Sequence, residues 1–222
     1  MPQVESQTVE ELPVEELKAS LLSLDRLAVR RTMLAAAASS TPVTVIDSLV
    51  VPVLERIGQG WQAGEISLAE VYMAGRLVEE TVDEVLGAPA ASARASAAHP
   101  KIAMCVLEDS HGLGKRIVST CLRVAGFEVL DLGLRRTVED IVEEVRAKGI
   151  EILLVSTLML RAALAVGTLT RRLAEEDLDH VKVVVGGAPF RYDPNLWREV
   201  GAHAWGYSAS EAIEVVSAMA RA

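Results

Sequence analysis

Basic charge is in short supply in this chain. Lys and Arg number 22 against 31 Asp and Glu, a net charge of −9. Non-specific nucleic-acid binding draws its affinity from a basic face, and no run of Lys and Arg supplies one here. Cysteine is almost missing. Cys105 and Cys121 are the two, and they are not spaced as a zinc or redox pair. They are expected as reduced thiols in an apolar interior. The N-terminal stretch MPQVESQTVEELPVEE is acidic and polar, without the apolar segment of a signal peptide. Long apolar runs are lacking too. The uncharged stretch Thr32–Ile46 is rich in Ala, Ser and Thr and holds Pro42, and the very apolar run Ile152–Leu160 is bounded by Glu151 and Arg161. Neither is long and greasy enough to span a bilayer. The expectation is a soluble, cytoplasmic chain with no membrane and no nucleic-acid partner.

Hydrophobic residues make up 50% of the 222, enough to bury the core of one large domain or two modest ones. Two rhythms divide the chain. From Pro13 to Leu86 the apolar spacing is helical. Leu17, Leu21, Leu24 and Ala28 recur at intervals of three or four, and Val43, Ile46, Val50, Val53, Leu54 and Ile57 form a second stripe. Thr41-Pro42 is a helix start, with a capping hydroxyl followed by proline at the first helical position. Pro52 is expected to kink or restart its helix. Ser67, with Glu70 three positions on, caps a last helix that ends at Gly87. Residues 1–88 are therefore expected to be a helical bundle. The Ala/Ser/Pro-rich residues 89–100 are expected to be a linker.

Residues 101–222 alternate strand and helix. Ile102–Leu107, Phe127–Leu132, Ile152–Ser156 and Val181–Val185 are short aliphatic runs, with a weak fifth at His203–Trp205. Helical patterns fall at 113–125, 138–148, 161–176 and 209–220. Strands buried on both faces belong to parallel sheets. The fold class is thus α plus α/β: an N-terminal helical bundle, then a flavodoxin-like, Rossmann-like doubly wound parallel sheet. Ligands on such sheets bind beyond the carboxyl ends of the strands, so those ends are where chemistry is sought.

After the first strand comes Glu108-Asp109-Ser110-His111-Gly112-Leu113-Gly114. An Asp and a His two apart can set a carboxylate against one imidazole nitrogen, fixing the tautomer and leaving the other nitrogen a better ligand. Gly112 and Gly114 permit close approach of a bulky group. Taken alone, such a pair more often belongs to a polar loop whose Asp caps the next helix. After the third strand stands Ser156-Thr157-Leu158, and after the fourth Gly186-Gly187. Each is equally at home in an ordinary turn.

Together the three elements resemble the signature of the cobalamin-binding domain shared by methionine synthase, corrinoid methyltransferase proteins and some mutases. Asp-x-His-x-x-Gly is followed after 41 residues (115–155) by Ser-x-Leu and after 27 more (159–185) by Gly-Gly. The run Gly58-x-x-Trp61-x-x-Gly64-Glu65-Ile66-x-Leu68 looks like the helical cap that precedes this domain in methyl-carrying members. The resemblance implies a cobalamin cofactor, alternating between methylcobalamin and cob(I)alamin, with His111 as the lower axial ligand to cobalt and Asp109 hydrogen-bonded to the far nitrogen of that ring. It implies that Gly114, Ser156, Leu158, Gly186 and Gly187 line the slot for the nucleotide arm. Gly112 lies against the cofactor, and Ala204, Gly206 and Tyr207 close the slot. Trp61, Tyr72 and Met73 either cover the upper face of the corrin or belong to the core of the bundle. The implied function is a corrinoid methyl carrier working between a donor-specific methyltransferase and a second one whose acceptor is a folate or a thiol, served by a reductive activator of the cobalamin.

Two features depart from the family pattern. Members often carry a second hydroxyl shortly after Ser-x-Leu, where this chain has Met159-Leu160-Arg161-Ala162. Methyl-carrying relatives often have an acidic residue directly after the histidine, where this chain has Gly112. The alternatives are a photoreceptor-type cobalamin regulator and the small subunit of a cobalamin mutase. The first expects a helix-turn-helix ahead of the bundle and a Glu-His pair where Val71 and Tyr72 stand. The second leaves the helical half unexplained. Trp197 and Trp205 are expected to be packing residues and His203 a core residue. Arg135-Arg136 and Arg171-Arg172 are expected to be solvated charges at helix ends.

Overall fold

Helix boundaries in the N-terminal half follow local chemistry closely. The structure, a computed structural model, describes residues 13–86 and 100–221. The first 12 residues and the expected linker, Pro100 aside, lie outside the described residues. The chain divides into two compact units between Val85 and Leu86. In the first, α1 (Val14–Leu22) buries Leu17 and Leu21. The helical rhythm that runs on to Ala28 in sequence is cut, because Leu24 adopts a left-handed φ of 57°. Asp25 then caps α2 (Arg26–Ser39) by accepting from the Ala28 amide at 3.0 Å.

Thr41 caps α3 (Pro42–Val45) through the Thr44 amide at 3.2 Å, with Pro42 at its start. A π-helical turn, Ile46–Val50, follows and leads into α4 (Val51–Gln62). Pro52 has no N–H for the carbonyl four residues back, and its ring crowds that carbonyl. A widened turn accommodates both. The box ahead of α5 (Leu68–Leu86) is reciprocal: Ser67 N–H donates to Glu70 Oε2 at 2.7 Å, and Glu70 N–H to Ser67 Oγ at 3.3 Å.

The second unit is a five-stranded, all-parallel sheet in the order β2-β1-β3-β4-β5. Its strands are β1 (Ile102–Leu107), β2 (Val129–Arg136), β3 (Ile152–Ser156), β4 (Lys182–Gly186) and β5 (Ala204–Gly206). Between them lie α6 (Leu113–Val124), α7 (Val138–Lys148), α8 (Leu160–Glu175), the short α9 (Ala188–Tyr192) and α10 (Leu196–Glu199), and finally α11 (Ala209–Met219). Strand alternation divides the core. Ala103, Cys105, Leu107, Leu153 and Val155 pack on the α7–α8 side, and Ile102, Met104, Ile152 and Leu154 on the other, with Leu122 of α6 and Val216 of α11. Both thiols are buried, and burial pushes that of Cys105 up to about 12. No helix of the described residues is long and apolar enough to cross a membrane.

Three sequence expectations need correction. The second strand lies at 129–136, not 127–132. Its outer end carries Asp131, Arg135 and Arg136, charges an edge strand tolerates, and its pairing with β1 shifts register around Gly133 and Arg135, whose φ values are 94° and 54°. Arg135 and Arg136 therefore end a strand, not a helix. His203 is exposed and not in the core. It sits where β5 begins, its Nδ1 accepting from the Val183 amide at 3.1 Å. Trp197 and Trp205 do pack against the core.

Candidate functional site

A parallel sheet opens a crevice where neighbouring connections leave in opposite directions. In the order β2-β1-β3-β4-β5 that point lies between β1 and β3. Asp109 and His111 follow β1, while Ser156 ends β3 and Leu158 stands just beyond it. Topology therefore brings the first two motif elements to one place.

Asp109 is the centre of the arrangement. Its side chain is 2% exposed, against 52% for His111. One oxygen, Oδ1, accepts from the backbone N–H of His111 at 3.0 Å and also meets His111 Nδ1. The other, Oδ2, accepts from the amides of Leu158 and Met159, each at 3.1 Å. Met159 is the N-cap of α8, so the carboxylate also sits at the positive end of a helix. These two amides occupy the carboxylate oxygen that a further hydroxyl would otherwise engage. With Nδ1 committed to Asp109, Nε2 is the nitrogen left for an outer ligand. His111 borders an open hollow of about 550 Å³ that is also lined by Glu108, Arg135, Thr137, Met159 and Arg161.

Burial is the largest influence on Asp109 and opposes its ionisation. The bonds from the His111 ring and amide, with those from Leu158 and Met159, outweigh it and hold the carboxyl down at about 2. A depressed carboxyl stabilises the fold above its unfolded value, near 3.9, and that contribution drains away as pH falls through the folded value. We expect about 2 kcal/mol of stability to be lost between pH 4 and pH 2 through this group. Urea unfolding across that window should show the loss in wild type and a flatter profile in Asp109→Asn. Parallel profiles would contradict the assignment.

The remaining motif residues meet in pairs. A Cβ on Gly114 would stand 3.5 Å from Ser156 Oγ, joining the first and second elements. Gly186 pairs with Gly206 across β4 and β5. Gly187, at φ 118°, lies against Thr157, so the third element touches the second. Gly112 is buried as the N-cap of α6. Ala204 and Gly206 are half-buried, and Tyr207 is half-exposed at the carboxyl end of β5. The bundle residues belong to the other unit: Trp61 lies in the last turn of α4 with half its surface exposed, and on α5 Tyr72 is exposed and Met73 half-buried. Trp61 and Tyr72 are thus surface residues, not bundle core.

Some residues of this region have no place in the sequence motif. Beside Leu158, which does, Met159, Leu160 and Leu164 are large, apolar and exposed around the start of α8. The available signal was an apolar run continuing past the last residue that β3 can bury. Arg161 Nη2 reaches Glu108 Oε2 at 3.1 Å, and Arg191 stacks on Tyr207; neither contact has a sequence signature.

The donor set suits a large cofactor that carries its own metal. It offers one oriented, exposed imidazole, bare glycine backbone at two strand ends, and exposed apolar side chains beside the imidazole. Comparison with known proteins agrees. Residues 101–215 match the B12 binding domain family, and residues 13–85 match a second family of the same description. The chain is 33% identical over 193 residues to monomethylamine corrinoid protein 2 of Methanosarcina acetivorans, covering 84% of this chain and 87% of that one. It is 32% identical to dimethylamine corrinoid protein 2 of Methanosarcina mazei, over 93% and 95% of the two chains. The solved monomethylamine corrinoid protein of Methanosarcina barkeri superposes with a TM-score of 0.77 at 29% identity, covering 91% of this chain and 96% of that one.

Proposed function

The chain belongs to the B12 binding domain family, and from that premise we propose that it is a corrinoid protein that carries a methyl group between two methyltransferases. The observation that carries this reading is the extent of the likeness. The helical unit and the sheet unit both match, and the relatives named as methylamine corrinoid proteins align along nearly the whole chain. A mutase small subunit would account for the sheet alone.

When bound, the cofactor supplies a cobalt centre able to accept and give up a methyl group. In this reading His111 would hold the cobalt through Nε2. Asp109 fixes the ring through Nδ1 and stabilises it when it holds a proton at Nε2. Because Oδ2 already takes two amide hydrogen bonds, Asp109 orients the ring as a carboxylate and leaves the proton on the imidazole. Gly112 borders the cofactor. Gly114, Ser156, Leu158, Gly186 and Gly187 line the slot for the nucleotide arm, which Ala204, Gly206 and Tyr207 close. The protein is a carrier and not a self-sufficient enzyme. Its donor specificity resides in a partner methyltransferase, its acceptor in a second one, and a reductive activator restores the cofactor. Those partners would be met in the cytoplasm.

The test is reconstitution of the full chain with methylcobalamin, followed by addition of candidate methyltransferases in the dark. Methyl loss that depends on one enzyme and its acceptor is the expected result. A cofactor that keeps its methyl group with every enzyme, in a protein that instead binds adenosylcobalamin and releases it under light, would turn the reading to a regulator.

A further inference from the structure

The edge strand β5 is anchored at its start by a side chain in a place where a longer strand would use backbone. In a parallel pair the N–H and C=O of one residue point to the same neighbouring strand. The Val183 carbonyl of β4 accepts from the His203 amide at 2.8 Å, so the Val183 N–H also points toward β5. A longer β5 would meet it with a backbone carbonyl. Here the chain turns at Gly201, whose φ is 71°, and the imidazole stands in: the Val183 N–H donates to His203 Nδ1 at 3.1 Å. Val183 is 1% exposed, so without the ring its amide would be buried and unpaired, at a cost folded chains avoid. The anchor matters because β5 pairs with β4 through three residues, Ala204, Trp205 and Gly206.

A backbone N–H can only donate, so this bond requires the neutral ring with its proton on Nε2. An imidazolium carries N–H on both nitrogens and would set one of them against the Val183 amide. His203 is exposed, so protons reach it in the folded chain. The charged and titratable groups of the neighbouring elements are Lys182 of β4, with Asp179 and His180 just before it, Arg198 and Glu199 of α10, and Glu211 and Glu214 of α11. Partial desolvation of the ring, and then the Lys182 charge, hold His203 below its ordinary value of 6.5. Well above that value the ring is neutral whether anchored or free. Below it a released ring takes up a proton that an anchored ring refuses, so acid favours release. We propose that His203 is a proton-operated latch, whose neutral ring closes the first rung between β4 and β5 and whose protonation loosens the edge strand. A strand rises about 3.3 Å per residue, so the latch lies roughly 10 Å from Gly206, at the site end of the sheet. The latch belongs to the apoprotein and stands without the cofactor reading.

The experiment follows amide exchange by NMR on the full-length apoprotein at about pH 7.5 and about pH 5.5, with rates corrected for the intrinsic effect of pH. Opening of the Val183 and His203 amides should rise in wild type by up to about tenfold, the limit for a ring of ordinary affinity that the anchored form cannot protonate. The rise should follow the titration of the His203 ring itself, read from its own carbon resonance. His203→Asn places an acceptor oxygen near the position of Nδ1 and does not titrate, so it should remove the pH dependence. His203→Ala should exchange fast at both pH values, while the amides of β1 keep wild-type rates. Wild-type protection that ignores pH, a rise whose midpoint departs from that of the His203 ring, or the same rise in His203→Asn overturns the proposal. If His203→Ala loses protection across the whole sheet it has misfolded, and the wild-type titration with His203→Asn decides.

Discussion

His111→Ala is expected to leave the fold standing and to change the visible spectrum of the bound cofactor. The first half follows from exposure. The His111 side chain is 52% exposed, so little apolar surface or packing goes with it. Asp109 loses its contact with the ring but keeps three backbone donors, from His111, Leu158 and Met159. Losing one hydrogen bond to a charged acceptor costs about 1.5–3 kcal/mol, within the about 5–15 kcal/mol by which a folded domain is stable.

The second half follows from orientation. A free imidazole can present either nitrogen, whereas this one has Nδ1 committed to a nearly buried carboxylate. In the proposed site that leaves Nε2 as the sole candidate for the lower ligand. Removing it should lower affinity for cobalamin by about 10- to 100-fold, the scale on which metal affinity falls when a ligand loses even its supporting group. It should also shift the absorption bands of a sample loaded with methylcobalamin. Asp109→Asn retains the shape and loses the charge, and it should give a smaller shift in the same direction. Identical spectra for wild type and His111→Ala would remove His111 from the role of ligand, whatever happened to affinity.

The buried parallel strands, the helix caps and the loop that carries the dyad were legible in the sequence because each rests on a strong local signal. Strands buried on both faces show as unbroken aliphatic runs, as in Ile102–Leu107 and Ile152–Ser156. Caps show as hydroxyl and carboxylate at fixed spacing, as in Ser67 and Glu70. What escaped depends on tertiary context. An edge strand may carry Asp131 and Arg136 because one side of it is free, so β2 reads as a loop beyond Leu132. The turn at Leu24 is set by a left-handed residue that propensity places in a helix. The two amides that complete Asp109 come from 49 and 50 residues away. They are backbone groups, so no side-chain motif announces them. That is why the missing hydroxyl reads as a gap in the sequence when the carboxylate is in fact fully satisfied.

Gly187→Ala should be the most damaging single methyl group in this protein, and Gly186→Ala, one residue away, should be mild. Gly187 has φ 118° and ψ 177°, a region open essentially to glycine alone. A Cβ there would lie 1.7 Å from the carbonyl oxygen of Thr157 and 2.9 Å from its carbon. Thr157 cannot step aside cheaply, since its amide donates to the Gly186 carbonyl at 3.0 Å and the residue is 2% exposed. The backbone strain and the clash together should cost about 3–5 kcal/mol, a fall of about 10 °C in the melting temperature for a chain of this length. At Gly186 the nearest atom to an added Cβ is the Gly206 carbonyl oxygen at 3.4 Å, an ordinary contact. Stability there should change by less than about 1 kcal/mol. If Gly186 lines the arm slot, its methyl group should instead weaken cobalamin binding while the apoprotein melts near the wild-type temperature. Thermal unfolding of both apoproteins, with dialysis against aquocobalamin, separates the two glycines. Equal melting temperatures for the two variants would contradict the packing of Gly187 against Thr157. Unimpaired cobalamin binding by Gly186→Ala would place the nucleotide arm elsewhere on the sheet.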